Sequence, residues 1–439
     1  MQLQPFEWLG ALVDPGGIVM TLLTIFSLFP VVLGNSMQNS SLISKEFLRR
    51  LKNTLSFTMS VDRQYDGLFA GTGTKPGVTV NLRKPPRFAG RRGQEAQPEA
   101  IVDNLVPLTI NTQYGQDVVI SSQEEALNLQ DYSEQVTQPA MEIIANMIDS
   151  DGLQICYQDV PQYVGTPATV PSTNLVYIQA GTRMSDEAVP TGKMRYVVVN
   201  PTMEGQILDT QATQFNSQVD ITEQNRSGSM GRAFGLNFAM DQNVYAHTVG
   251  ALGGTPLVNG ANQTGSSIAT DGWTASVTNV LRKGDILTFA SVNAVNPISK
   301  VNIGRLRQFV VTADVNSNGS GQATVPIYPS IVTSGARQTC TQSPADNAVI
   351  LIFGHASNHA GVVTPQGIAY HKGFATFATV DLYVPRGVEM GSRAQSKELN
   401  LSVRHVRFFD GRKDQLIDRY DVLGGWKTLR PEMAVRVVS

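Results

Sequence analysis

Leu281-Arg282-Lys283-Gly284-Asp285-Ile286-Leu287-Thr288-Phe289 opens on a basic turn and runs straight into an apolar strand-like stretch. It leads through Ala294-Val295-Asn296-Pro297 to a second stretch of the same texture, Gln308-Phe309-Val310-Val311-Thr312. Glycine supplies the turn conformation that β-carbon-bearing residues resist, and the flanking residues are of the kind that fill a pleated, half-buried surface. Outward from this centre the pattern repeats. Val277-Thr278-Asn279-Val280-Leu281, Ala323-Thr324-Val325-Pro326-Ile327 and Ala348-Val349-Ile350-Leu351-Ile352-Phe353 read as further short strands, and Asn316-Ser317-Asn318-Gly319 as a turn. Short strands at regular spacing with turn residues between them predict a small antiparallel barrel or sandwich within about 231–364.

The texture differs on both sides of this block. Towards the amino terminus, Ile43, Phe47, Leu48, Leu51 and Leu55 recur at helical spacing from about Ser41 to Phe57, with Lys45, Arg49, Arg50 and Lys52 on the opposite side. Ser40 and Ser41 are suited to accept the first free amide protons of that helix. Gly77-Val78-Thr79-Val80-Asn81-Leu82 then alternates as a strand and is stopped by the basic, proline-broken Arg83-Lys84-Pro85-Pro86-Arg87-Phe88. Thr109-Ile110 and Asp117-Val118-Val119-Ile120 read as returning strands. The expected result is a long two-stranded excursion whose far end carries Arg83, Lys84, Arg87, Arg91 and Arg92, followed by Glu95, Glu99 and Asp103.

Thr137-Gln138-Pro139 signals a second helix, since proline at the first helical position gives up an amide proton that has no partner anyway. Ala140, Ile143, Ile144, Met147 and Ile148 form its apolar stripe, and the helix continues through Leu153 and Ile155. Asp149 and Asp151 are read as solvated ends, because carboxylates two apart on a helix point in different directions. Pro161 to Asp220 mixes turn formers with short strands such as Tyr196-Val197-Val198-Val199, and Gln206 to Phe215 shows no clear period. After Pro365, Ala378 to Pro385 reads as a strand, Leu399, Leu401 and Val403 alternate, and Asp410-Gly411 makes a tight turn. Trp426 follows a Gly-Gly bend and Ala434 to Val438 closes as a strand.

Composition excludes several functions. The 439 residues carry a formal charge of −2 and only 16% charged side chains, so the chain is not one that binds by neutralising many phosphates. Its length suggests two or three domains of ~100–200 residues each. Cys156 and Cys340 lie far apart and form no ligand spacing, as expected of free thiols in a reducing compartment. Gly71-Thr72-Gly73-Thr74-Lys75 has phosphate-loop flavour, but Pro76 and a strand follow it where such a loop needs Ser or Thr and a helix. His355 and His359 sit among Gly354, Asn358 and Gly361 with no adjacent carboxylate, which argues for a loop over a metal site. No nucleophile elbow or dinucleotide fingerprint is present.

Ile18 to Leu33, IVMTLLTIFSLFPVVL, is apolar, yet a little short of the ~20 residues needed to span a bilayer. No Lys or Arg precedes it, unlike the basic start of a secretory signal. Three readings stand, in this order: an upstream start codon wrongly included, a hydrophobic extension that packs or is cleaved, and an export signal. Met37 would make a natural start.

The motifs around residues 62–88, at 281–312 and at 368–385 occur in an order that resembles the major capsid (coat) proteins of short-tailed double-stranded DNA bacteriophages. These form the insertion-domain branch of the tailed-phage and herpesvirus capsid fold. Asp62-Arg63-Gln64-Tyr65-Asp66-Gly67-Leu68-Phe69 and Ile368-Ala369-Tyr370-His371-Lys372-Gly373-Phe374-Ala375 are the outer markers. The resemblance implies an α+β fold with an N-terminal arm at 37–59 after the apolar leader at 1–36. An extended loop and peripheral strands follow at 60–127, a spine helix region at 128–160 and an axial domain at 161–230. An inserted antiparallel β-barrel at 231–364 and a return to the axial and peripheral core at 365–439 complete it. It implies a structural protein with no catalytic, cofactor or metal site. Its partners would be itself, as hexamers and pentamers, a scaffolding protein, a portal protein and packaged DNA held non-specifically at the inner surface. No membrane would be present in the mature shell, and assembly would take place in the host cytoplasm to give a virion capsid. Arg83, Lys84, Arg87, Arg91, Arg92, Arg49 and Arg50 would be intersubunit contacts. The alternatives are a cellular nanocompartment shell, an exported β-rich adhesin or surface-layer protein, and more remotely a hydrolase.

Overall fold

The computed structural model describes residues 44–49, 51, 55–63, 79–88, 90, 93–96, 98–101, 104–121, 137–212, 230–355, 358–388, 390–396 and 401–439. The apolar leader, the serine caps at 40 and 41, the Gly71–Lys75 run and Leu399 fall outside them.

Among the described residues, side chains pack into three apolar cores. The largest lies on one face of the long helix Gln138–Asp159, where Ile144, Ile148 and Cys156 are fully buried. Ile143, placed in the stripe by the sequence, is instead 46% exposed. A seven-stranded sheet contributes Val197, Tyr370 and Val435 to the same core and runs in the order Tyr163–Gly165, Ala434–Val438, Val363–His371, Arg195–Val199, Leu236–Met240, Arg232–Ala233, with Ala246–Thr248 paired to the start of Val363–His371. A second sheet is built on the long strand Gln415–Thr428, paired with Leu401–Asp410 and Ala375–Val380, and on its other side with Thr112–Ser121. The expected helix near the amino terminus is helical at 44–49 and 51, and Leu55 N donates a hydrogen bond to Leu51 O at 3.2 Å. It does not reach Phe57 unbroken: Ser56 bends the chain and a separate turn, Phe57–Ser60, begins.

The all-β block forms six strands ordered Ile350–Ile352, Ile286–Val295, Asn302–Val311, Ala323–Ile331, Gly265–Trp273, Gly254–Val258. A bridge between Leu257 and Val349, with Val258 N donating to Ala348 O at 3.0 Å, brings the two edges together. The result is a near-closed antiparallel barrel around Phe289, Phe309 and Val325. Closure removes the exposed amide rows that invite unwanted pairing. Lys283-Gly284-Asp285 is a turn as expected, with Gly284 at φ +102°.

Several local readings are corrected. Val277–Leu281 is not a continuous strand: Leu281 bridges Val315 through the backbone, while Ser317 Oγ and Asn316 Oδ1 accept from the amides of Val277 (2.8 Å) and Asn279 (2.7 Å), so side chains interrupt the ladder. Gln206–Phe215 is largely helical, within Pro201–Ala212, started by Asn200 Oδ1 accepting from Met203 N at 2.7 Å. The helix Leu175–Asp186 and the strands Gly254–Val258 and Gly265–Trp273 were not anticipated. The strand expected at 378–385 lies at Ala375–Val380. Gly424 and Gly425 form no bend. They lie inside a continuous strand, where a β-carbon on Gly424 would sit 2.6 Å from the Phe377 ring and one on Gly425 2.4 Å from Thr109 O.

Asp149 is not solvated. It is 3% exposed, and its carboxylate accepts from the amides of Ser56 (2.8 Å), Phe57 (3.3 Å) and Thr58 (2.9 Å) and from the Thr58 hydroxyl. A carboxylate from the long helix thus satisfies the free amides at the start of the Phe57–Ser60 turn, a task usually left to the residue just before a helix.

Candidate functional site

The two-stranded excursion is present, with a different return from the one expected. Thr79–Lys84 pairs with Asn104–Thr109, while Thr112–Ser121 leaves to join Gln415–Thr428. Isolated two-stranded ribbons are marginal in water, and this one is rooted. Leu82, Leu108 and Ile110 pack on Ala378, Val380, Leu423 and Leu429 in a small core of their own. Beyond the root the arm turns outward, exposing Phe88 and Ile101, the latter 69% exposed.

The structure places the sequence-selected cations in different settings. Arg83 lies on the ribbon and Lys84 at its end, half-buried. Burial lowers the Lys84 ammonium from its ordinary value; Glu432 opposes this, and Arg430, Arg87 and Lys427 add to it. Arg87 is ion-paired with Glu432 at 3.0 Å within the same chain, and Tyr328 Oη donates to the other Glu432 oxygen at 3.1 Å. Arg49 is exposed and pairs with Glu46 at 2.6 Å, well apart in sequence from the arm cluster. Arg50, Arg91 and Arg92 lie outside the described residues. Lys84 and Arg87 therefore converge with Arg430 and Glu432, two residues of the Leu429–Met433 stretch that form no charge run or motif of their own.

These groups border a cleft of about 600 Å³ between the arm root, the barrel and the 430–433 turn. Arg337 and the exposed Ile298 from the barrel complete its rim.

Behind the cleft the barrel is joined to the core by buried polar contacts. Asp285, which closes the Lys283-Gly284 turn, is fully buried. It accepts from His247 Nε2 (2.8 Å), Gly250 N (3.1 Å) and Arg282 N (2.7 Å). With Nε2 donating, His247 Nδ1 is left to accept from Tyr157 Oη at 3.2 Å. Arg436, equally buried, donates to Val160 O at 3.1 and 2.9 Å and lies over the Tyr157 ring; burial brings its guanidinium down to about 10. Arg307 of the barrel is ion-paired with Glu187 at the end of helix Leu175–Asp186, both 5% exposed. Burial raises the Glu187 carboxyl against the pull of Arg307. Arg307→Met, which strands Glu187 in a buried site, is expected to cost about 3–5 kcal/mol, while Glu187→Leu with Arg307→Met should be near neutral. Urea unfolding of both variants checks this. A single variant as stable as the parent would show that water reaches the carboxylate.

Among the described residues no three His, Cys, Asp or Glu side chains gather as a metal site, and the His355 and His359 rings meet edge to face at 4.9 Å. Cys156 and Cys340 are free and buried. Among the described residues no helix is long and apolar enough to cross a membrane.

Comparison with known proteins places these surfaces in context. A major capsid protein from Acyrthosiphon pisum secondary endosymbiont phage 1 is 23% identical over 419 residues, covering 90% of this chain and 96% of the relative. Among solved structures, one from Mycobacterium phage Che8 aligns at 12% identity with a TM-score of 0.42, over 87% of this chain and 90% of that one. The asymmetric unit of the bacteriophage PhiM1 mature capsid aligns at 11% identity and 0.37, over 84% and 83%. The family model described as P22 coat protein, gene protein 5, matches residues 33–438. With that match extending from the amino-terminal helix to the final strand, this chain belongs to the P22 coat protein family, a structural family of phage capsid subunits.

Proposed function

We propose that this major capsid protein assembles with a scaffolding protein and a portal protein into a procapsid of hexamers and pentamers that matures around packaged double-stranded DNA. Its place as a component of an icosahedral virion capsid, and hence its self-association, follow from the family. The single observation that carries the finer reading is the arm. It is rooted in its own small core at Leu82 and Leu108, yet Phe88 and Ile101 are left to solvent, which suits a contact with a neighbour. On this reading Arg83, Lys84, Arg87, Arg91 and Arg92 of the arm, and Arg49 and Arg50 of the amino-terminal helix, meet carboxylates of adjacent subunits.

Exposed ion pairs are worth about 0–1 kcal/mol each, so these contacts set register more than strength. Maturation repacks many such interfaces together, as bistable contacts allow. The low charge of the chain, −2 overall, suits an inner wall that does not grip the DNA it holds.

Arg83→Glu with Arg87→Glu should leave the subunit folded, with a circular dichroism spectrum and melting curve like the parent, while closed shells disappear. Sedimentation velocity and negative-stain microscopy, on the chain alone and with a candidate scaffolding partner, provide the readout. Parent-like shells from this variant would remove the arm charges from the interface.

A further inference from the structure

The cleft at the arm root is unlike the rest of this weakly charged chain. Lys84, Arg87, Arg337 and Arg430 border it, and its lining also carries Glu432, which is paired with Arg87, and Glu187, which is paired with Arg307. The same rim carries apolar surface at Ile298 and Leu105, 76% and 53% exposed. Excess positive charge beside exposed apolar side chains fits an extended segment rich in both carboxylates and apolar residues.

The stretch between Ser121 and the long helix is such a segment. Residues 122–136, SQEEALNLQDYSEQV, carry Glu124, Glu125, Asp131 and Glu134 with no Lys or Arg, interleaved with Leu127, Leu129 and Tyr132. Its attachment points decide which cleft it can reach. Ser121 pairs with Gln415, at one end of the strand Gln415–Thr428, whereas the cleft lies past the other end, at Arg430 and Glu432. The long helix starts towards the Gln415 end: Asp151 meets Tyr114, opposite Val422, and Cys156 meets Thr428, so the helix runs towards the cleft and Thr137 lies away from it.

A strand of 14 residues is roughly 45 Å long, so a path from Ser121 to the cleft and back to Thr137 needs roughly 90 Å. Fifteen residues fully extended reach at most about 50 Å. The subunit's own cleft is therefore out of range. Resting on the assembly proposed above, we infer that the cationic cleft receives the acidic segment 122–136 of a neighbouring copy.

A fluorescein-labelled peptide of residues 122–136, titrated onto the full chain and followed by anisotropy, tests this without requiring shells. Saturable binding is expected at low salt, weakening about tenfold or more at 0.5 M salt, as screening of exposed charges demands. It should weaken about tenfold in a Lys84→Glu, Arg430→Glu chain, and by less in the milder Lys84→Gln, Arg430→Gln chain, whose melting curve should match the parent. A peptide with all four acids replaced by their amides should not bind. Absence of saturable binding, or equal binding to parent and both variants, overturns the inference. Peptide binding as expected by a chain that never forms shells would instead count against the assembly proposal and leave the cleft assignment standing.

Discussion

Replacing Trp426 with alanine is expected to lower the free energy of unfolding by about 3–5 kcal/mol, the range for truncating a buried aromatic. Trp426 is where three separate parts of the chain meet. Its ring stacks on Phe57 from the amino-terminal turn at 5.3 Å and leans on Phe377 of the neighbouring strand at 4.8 Å. Its Nε1 donates to Ile148 O of the long helix at 3.1 Å. The helix comes this close because position 152 is glycine: a β-carbon there would sit 2.5 Å from the indole. Gly152→Ala alone should therefore cost about 1–3 kcal/mol through overpacking. In the Trp426→Ala background the same change should gain up to about 1 kcal/mol, because the space is vacant and alanine is the better helix former. A double-mutant cycle by urea unfolding measures the coupling. Simple additivity would show that the two residues do not press on each other.

Stability should also fall as pH rises through the range set by Asp149. Burial lifts its carboxyl to about 6; the bonds from Thr58 and Ser56 act in the opposite direction, and Asp241 adds to the rise. Tyr370 and Ser60 lie on the same side, with Tyr370 Oη hydrogen-bonded to Ser60 Oγ. Between the ordinary carboxylate value of 3.8 and about 6, the folded chain holds a proton that the unfolded chain has released. Stability from this group is thus complete below about pH 4 and lost as pH climbs past 6. The full difference is worth roughly 3 kcal/mol. Asp149→Asn cannot titrate, so its unfolding free energy should lack this component between pH 4 and 7. Parallel slopes for parent and variant would show that the bonds to Ser56 and Thr58 outweigh burial and keep the carboxylate charged.

The regular parts of the fold were legible because the chain repeats its own signals there. Ile286, Phe289, Phe309 and Val325 read as barrel core and are barrel core. Leu48 and Leu51 face inward as their helical spacing implies. What could not be read depended on distant partners. Asp149 looks like any acidic residue on a helix until the Ser56–Thr58 amides arrive from 91–93 positions away. Gly424-Gly425 has the composition of a bend, and only Phe377 and Thr109 pressing on it explain a strand. Thr112–Ser121 alternates like the return half of a hairpin, yet its partner lies some three hundred residues on, so local pattern assigned it to the wrong ribbon. The cleft shows the same division. Lys84 and Arg87 stand in a conspicuous basic run, whereas Arg430 and Glu432 acquire meaning only from where the fold puts them.

The barrel also leaves and re-enters the core through adjacent points. Val249 N donates to Val362 O at 3.0 Å, and Gly361 N to Gly250 O at 3.1 Å. A loop whose two ends are already hydrogen-bonded to each other costs little more to close when it is longer, since the entropy grows only with the logarithm of length. Evolution can therefore lengthen or trim the turns between Gly250 and Gly361, so long as Asp285 and Arg307 keep their partners His247 and Glu187, without shifting the register of Ala246–Thr248 against Val363–Pro365. For the same reason this seam is the natural place to graft a foreign cargo-bearing module onto the subunit.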